Sequence, residues 1–417
     1  MIKKSSKQTK SNVIVACLLL LCLVLTACSV MGNGEDSTTA GETTGVSTLP
    51  YGPQTGGDTT AVPPQGTDPV TPPDESTAPD PDTTADVTDT EAETTAPEPV
   101  PMYIDPLTGL ATANDLTHVL PIAITLDNLS AAAPQSGISR ADILMEVLVE
   151  GGITRLIMLT NDYGGSEVYG PVRSVRHYTV SLGQAFGSLT VGAGGSPLGY
   201  TMVKSLGIPF FDGVNDAYSG LGFYRDKNRM AAAGATHSLM TTGERLQKLA
   251  SRHSWSMNSE AAVRPVFNFA DDEFVFTGEG DATHVCIPYS SSQYVQLIYS
   301  RTTNTYYRYQ LGDRAHIDAA NGEQLNFTNV FILFAPTEAI PGDTEGRLDV
   351  TVTGEGGGYY ISGGRYLPIK WSRIGDTSPF IFTDAAGNVI SVERGKTFIS
   401  VAQKAIVDQV DLNYHAW

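Results

Sequence analysis

The sequence predicts an α+β fold: an N-terminal mixed sheet packed with helices, followed by a smaller antiparallel β-rich domain. Three observations carry this. Residues 143–160 form two apolar-rich arms around Gly151-Gly152, a hairpin signal. Helix-like stretches follow, at Ser174–Phe186 and after Thr241-Thr-Gly-Glu244, where capping-box spacing precedes Arg245–Arg252. Beyond about residue 260 the pattern turns to short β-rich runs, from Tyr294–Tyr299 to Thr397–Val401, punctuated by Gly-Asp, Asn-Gly and Gly-Gly turns.

The chain opens with Lys3, Lys4, Lys7 and Lys10, then a fifteen-residue apolar run from Val13 to Ala27 that closes on Leu25-Thr26-Ala27-Cys28. A basic n-region, a short apolar core and small residues before a cut describe an export signal. Spanning a bilayer takes about 20 apolar residues, so a transmembrane anchor fits less well. The reading is a lipoprotein signal over residues 1–27, with Cys28 as the acylated mature N-terminus. Residues 28–101 are Thr, Pro, Asp, Glu, Gly and Ser with almost no large apolar side chains, a composition that cannot offset the entropy of ordering. They are expected to be a disordered acidic tether, spacing residues 102–260 (the α/β part) and 261–417 (the β-rich part) from the outer face of the cytoplasmic membrane.

The net charge of −19 divides unevenly. Residues 1–28 carry +4 and residues 29–101 carry −14, which leaves 22 basic against 31 acidic residues, or −9, for the rest. Neither part has the basic stripe that duplex binding needs, which excludes nucleic acid as the expected partner. Of four cysteines, Cys17 and Cys22 leave with the signal and Cys28 carries lipid, so Cys286 remains without a partner for a disulfide or a Cys-based zinc site. It lies in the apolar run Thr283–Ile287 and is expected as a small buried core residue.

Further elements follow from pattern. Leu120–Leu126 reads as a buried strand running into the turn Asp127-Asn128, and Leu189–Ala193 as a short strand entering Gly194-Gly-Ser-Pro197. These segments resemble the YerB-like lipoproteins. The matching stretches include Pro106-Leu-Thr-Gly-Leu110, Pro121–Asn128, Pro134–Asp142, Glu146–Arg155 and Gly170-Pro-Val-Arg-Ser-Val-Arg176. Gly194–Pro197, Tyr224-Arg-Asp226, Gly346-Arg-Leu-Asp349 and Gly395-Lys-Thr-Phe398 also fit, so the likeness spans nearly all of 104–402. Ala235-Thr-His237-Ser departs from the Ala-Pro-His-Asn of the family pattern. The resemblance implies a two-part α+β extracytoplasmic lipoprotein and no established reaction.

A two-residue turn at Gly151-Gly152 pairs Glu150 with Ile153, Leu148 with Arg155 and Glu146 with Ile157. Alternation then puts Met145, Val147, Val149, Thr154, Leu156 and Met158 on a core face, and Arg155 diagonal to Glu146 and Glu150 on the other. That row either steadies a half-exposed hairpin or floors a ligand cleft. Arg173 and Arg176, spaced i and i+3 on the first turn of the expected helix, oppose its dipole. They therefore either bind an anion or pair with Glu146 and Glu150. Ser196, in a Gly-rich turn, lacks the Gly-x-Ser-x-Gly surroundings of a hydrolase nucleophile. Asp127, Arg225, Asp226 and His237 complete the candidate ligand-binding set. No His or carboxylate spacing matches a metal site, and no cofactor is implied.

Two functions fit. One is a tethered protein that binds a cell-envelope ligand or a partner protein through the Glu/Arg cleft. The other is an envelope phosphoryl or glycopolymer transferase. The order Asp127, Arg140-Ala-Asp142, Pro171-Val-Arg173 and a Gly-Gly loop is similar to that of Asp and Arg motifs in the LytR-CpsA-Psr enzymes, and phosphoryl transfer relies on positioning and charge stabilisation. The pattern leaves catalytic residues unassigned. A glycosidase using Glu146 and Glu150 is disfavoured, because i and i+4 in a strand lie about 13 Å apart, beyond either working separation.

Overall fold

A computed structural model describes residues 102–414, apart from 216–219, 264, 272 and 311. The expected signal, the acylated Cys28 and the tether lie outside the described residues. In the N-terminal half the principal elements are β1 (Ile122–Asp127), β2 (Ile143–Leu148), β3 (Thr154–Thr160), α1 (His177–Gln184), β4 (Leu189–Gly192), α2 (Pro197–Leu206), β5 (Phe210–Asp212), β6 (Phe223–Arg225), α3 (Lys227–Ala233), β7 (Leu239–Thr242) and α4 (Gly243–His253). The C-terminal half adds β8 (His284–Pro288), β9 (Tyr294–Ser300), β10 (Thr305–Gln310), β11 (Asn329–Ala335), β12 (Gly354–Ser362), β13 (Arg365–Arg373) and β14 (Thr397–Gln403). This is the expected α+β class.

Both halves contribute to one mixed sheet, eleven-stranded among the described residues, with the central order β13-β12-β11-β14-β2-β3-β1-β4-β5. Strand β14 is the joint: it runs parallel to β11 on one side and to β2 on the other. The C-terminal half is β-rich as its composition predicts, and these parallel pairs are an addition to its antiparallel pattern. A second sheet, five-stranded among the described residues, is built on the antiparallel run β8-β9-β10.

Strands β1, β2 and β3 are buried along their whole length, because the sheet is covered on both faces. One face carries Ile124, Leu126, Leu144, Leu148, Leu156 and Met158 and packs on Leu246 and Leu249 of α4 and on Val285, Val295 and Tyr306 of the second sheet. The other carries Ala123, Ile143, Met145, Val147, Ile157 and Leu159 and packs on Tyr178 and Leu182 of α1. Each buried Leu, Ile, Val or Met among them stabilises the fold by roughly 1.5–3 kcal/mol relative to exposure. Any polar group on these strands must therefore find a partner inside.

Helix starts differ in detail from the pattern. Thr242, not Thr241, caps α4, accepting the Arg245 N–H at 3.2 Å, while the Thr241 hydroxyl donates to the Gly222 carbonyl at 2.7 Å. Cys286 is half-buried and not in the core: it takes the opposite phase of β8 from Val285 and Ile287. Burial raises its thiol pKa to about 11, which leaves it a poor nucleophile.

Candidate functional site

The hairpin forms, but its register is shifted by one residue. Val147 pairs with Arg155 and Glu146 with Leu156. The cause is the turn. Residues Glu150–Gly152 make a 3-10 turn closed by the Val149 N–H donating to the Ile153 carbonyl at 2.8 Å, with Gly151 and Gly152 at φ 73° and 71°. A three-residue connection replaces the two-residue one, and a one-residue slip moves a strand's side chains to the other face. Met145 and Val147 stay together and are fully buried, but Arg155 now shares their face. Thr154, Leu156 and Met158 lie on the opposite face with Glu146. The expected Glu146–Arg155–Glu150 row does not exist.

Arg155 faces Asp127 instead, its direct partner across β1 and β3. Asp127 is fully buried and is the hub of the site. Its Oδ1 lies 3.7 Å from Arg155 Nη1 and accepts the Leu129 N–H at 3.1 Å. Its Oδ2 lies 3.3 Å from Arg173 Nε and 2.7 Å from His237 Nδ1. Arg173 comes from the extended segment before α1, whose amide donates to the Thr125 carbonyl at 2.8 Å, and not from the helix as expected. Arg176 is the N-cap residue of α1 and binds both Glu150 oxygens, with Nε donating to Oε2 at 3.0 Å and Nη2 to Oε1. Burial works against an ionised Glu150, and the Arg176 hydrogen bond overcomes it, holding the carboxyl below its ordinary range.

Arg155 is 2% exposed, yet its Nε and Nη1 have no hydrogen-bond partner, and neither has Arg173 Nε. Burial, and next the neighbouring Arg173 charge, pull the Arg155 guanidinium down to about 10, with Asp127 opposing. Such a group is costly to bury unless something completes its hydrogen bonds. The site reaches solvent through Arg173 and His237, whose side chains are 23% and 14% exposed.

His237 is held by a brace in which two other candidates act. Arg225 Nη1 donates to the Ala235 carbonyl, and the Asp226 N–H donates to the Ser238 carbonyl at 2.8 Å. Asp226 also caps α3 through the Arg229 N–H at 2.8 Å. Ser196 is a helix cap, accepting the Gly199 N–H at 3.1 Å at the start of α2. None of these three side chains contacts Asp127 in the structure's hydrogen bonds.

Glu146 belongs to a different polar cluster, on the sheet face that meets the second sheet. It is fully buried, pairs with the equally buried Arg308 of β10, and accepts from Asn128 Nδ2 at 3.0 Å and Thr154 Oγ1 at 2.7 Å. Arg308 continues to Gln310 and His316, and His316 Nε2 meets Gln135 Oε1 at 2.8 Å. Gln135 Nε2 then donates to the Asp127 carbonyl at 2.8 Å, which ties this network to the site. Sequence reasoning passed over Arg308. Its signal was the alternation of β10, where Tyr306, Arg308 and Gln310 share the buried phase.

Chemically, the Asp127 cluster offers buried guanidinium N–H groups beside an Asp-held imidazole. It has no donor set for a metal, and among the described residues no group of three His, Cys, Asp or Glu is placed to hold one.

Comparison with known proteins supports the motif reading. Two family models match the chain: protein of unknown function (DUF3048) N-terminal domain over residues 107–256, and its C-terminal domain over residues 285–399. The "Putative lipoprotein YerB" of Bacillus subtilis is 27% identical over 299 residues, covering 71% of this chain and 85% of that protein. The crystal structure of the YerB protein from Bacillus subtilis superimposes with a TM-score of 0.64 at 27% identity, covering 74% of this chain and 99% of that one. Carrying both domains in order, the chain belongs to the DUF3048 family, to which its YerB-like motifs point.

Proposed function

We propose that this chain is a lipoprotein acylated on Cys28 that stands on the outer face of the cytoplasmic membrane and binds an anionic cell-envelope ligand in the cleft where Asp127, Arg155, Arg173 and His237 meet. The name of the Bacillus subtilis relative supports the anchor, as do the Leu25–Cys28 motif and the acidic tether. The observation that carries the binding reading is Arg155, buried with Nε and Nη1 lacking a hydrogen-bond partner, beside Arg173, whose Nε also lacks one although it lies 3.3 Å from Asp127. Three arginines (Arg155, Arg173, Arg176) face two carboxylates (Asp127, Glu150), an imbalance of one positive charge that a bound anion neutralises. Charge-assisted hydrogen bonds from such donors contribute about 1.5–3 kcal/mol each.

The test is calorimetric titration of the protein with inorganic phosphate, glycerol phosphate and acetate. Saturable binding of at least one is expected, weakened about 10- to 100-fold in Arg173→Ala. Binding of none, or binding indifferent to Arg173→Ala, overturns the reading. A second reading, an envelope phosphoryl transferase, draws on the 2.7 Å contact that fixes His237 against Asp127, since an oriented imidazole suits proton transfer. It requires turnover of a phosphorylated envelope precursor that His237→Gln abolishes while Arg173-dependent phosphate binding survives.

A further inference from the structure

At the far end of β3 from Arg155, a second group of side chains gathers. Six residues of extended chain separate Arg155 from Asn161, about 20 Å. Here the segment after β3, the outer part of α4 and residues 114–119 surround a cavity of about 580 Å³, within the range of small-ligand sites. Its wall combines two aromatic residues, Tyr163 and Trp255, with four amide side chains, Asn114, Asn161, Gln247 and Asn258. Among the described lining residues there is no Lys or Arg, and the carboxylate of Asp162 lies 3.7 Å from Arg140.

The composition has a chemical reading. With no Lys or Arg in its described lining the cavity offers an anion no opposing charge, and its amides make it too polar for a lipid tail. A carbohydrate matches it: sugar C–H faces pack on aromatic rings, and hydroxyls around the ring edge both donate and accept. Side-chain amides do the same within one plane. The aromatic groups are fixed in advance. The Tyr163 hydroxyl is committed to the Leu120 carbonyl at 2.8 Å, leaving its ring to the wall. Trp255 is held by a stack on His253 with centroids 4.5 Å apart and by an edge contact with Phe211 at 5.1 Å. One polar group is incomplete. Asn161, 3% exposed, donates through Nδ2 to Asp105 at 2.9 Å, while its Oδ1 has no partner. A buried acceptor of that kind costs free energy until a donor meets it.

We infer that this cavity is a binding site for a neutral oligosaccharide, separate from the guanidinium cleft and able to hold the protein on glycan independently of it. The probes are tri-N-acetylchitotriose and maltotriose, titrated into the full chain with indole emission and calorimetry as readouts. Trp255 is the reporter at the site; of the other two tryptophans, Trp371 is 1% exposed and Trp417 lies outside the described residues, and calorimetry gives a readout independent of both. A saturable response to either sugar is expected, weakened on the order of tenfold in Trp255→Ala and in Asn258→Ala, and unchanged in Arg173→Ala. Asn258 is exposed, so its variant tests the site even if the Trp255 variant fails to fold. No saturable response to both sugars, or a response that Asn258→Ala leaves intact, overturns the inference. A response lost in Arg173→Ala assigns the sugar to the other cleft and overturns it as well.

Discussion

Replacing Arg308 by methionine removes a cation from the contact between the main sheet and the second sheet and leaves Glu146 buried beside it. Both residues are fully buried, so water cannot take over. Glu146 keeps the Asn128 amide at 3.0 Å and the Thr154 hydroxyl at 2.7 Å, two neutral donors for a carboxylate. His316 is a poor substitute: burial, the larger of the two causes that hold its imidazole well below the usual range, persists when Arg308 is gone. Breaking a buried pair from one side costs about 3–5 kcal/mol. For a body of this size each kcal/mol lowers Tm by roughly 2 °C, so Arg308→Met is expected to fall by about 6–10 °C in thermal unfolding. The double variant Glu146→Met with Arg308→Met removes both charges and regains at least about half of the loss, because two apolar side chains pack where an ion pair stood. Two results refute this reasoning: a single variant within about 1 kcal/mol of the parent, or a double variant whose loss is the sum of the two singles.

The side chain of Asp142 supplies a pH dependence. Its Oδ2 is buried without a partner, and burial, reinforced by the Asp105 charge, raises the carboxyl to about 7. The fold thus prefers the neutral acid. That contribution is fully present below the ordinary carboxylate pKa and is lost as pH rises through 7, a difference of up to about 4 kcal/mol. Urea unfolding at pH 5 and pH 8 checks this: Asp142→Asn gains on the parent at the higher pH, and a gap that does not change with pH contradicts it. At the other end of the chain, Cys28→Ser leaves an unacylated protein with an uncut signal, read by mass spectrometry of the membrane fraction. Normal maturation of that variant sinks the anchor.

Local pattern was enough for the arms of the hairpin, the helix after Thr242 and the β-rich character of the C-terminal half, because period and turn residues are properties of neighbouring positions. It also put Asp127, Arg155, Arg173 and His237 among the candidates, which the structure brings together, but could not pair them. Whether Gly151-Gly152 closes a two- or three-residue turn differs by one residue in sequence and by a whole face in space, so the partner of Arg155 depended on a turn geometry that two glycines leave open. Glu146 and Arg308 lie 162 residues apart, and no periodicity links them. Their pairing, like the parallel insertion of β14 between β2 and β11, arises when the two halves bury their apolar faces together. Residue pattern marked many of the strands and two of the helices, missed α2 and α3, and fixed where ionisable residues sit along the chain. Which charges meet was settled by folding, because that choice is made by burial between distant strands, where an unpaired charge costs more than any local preference.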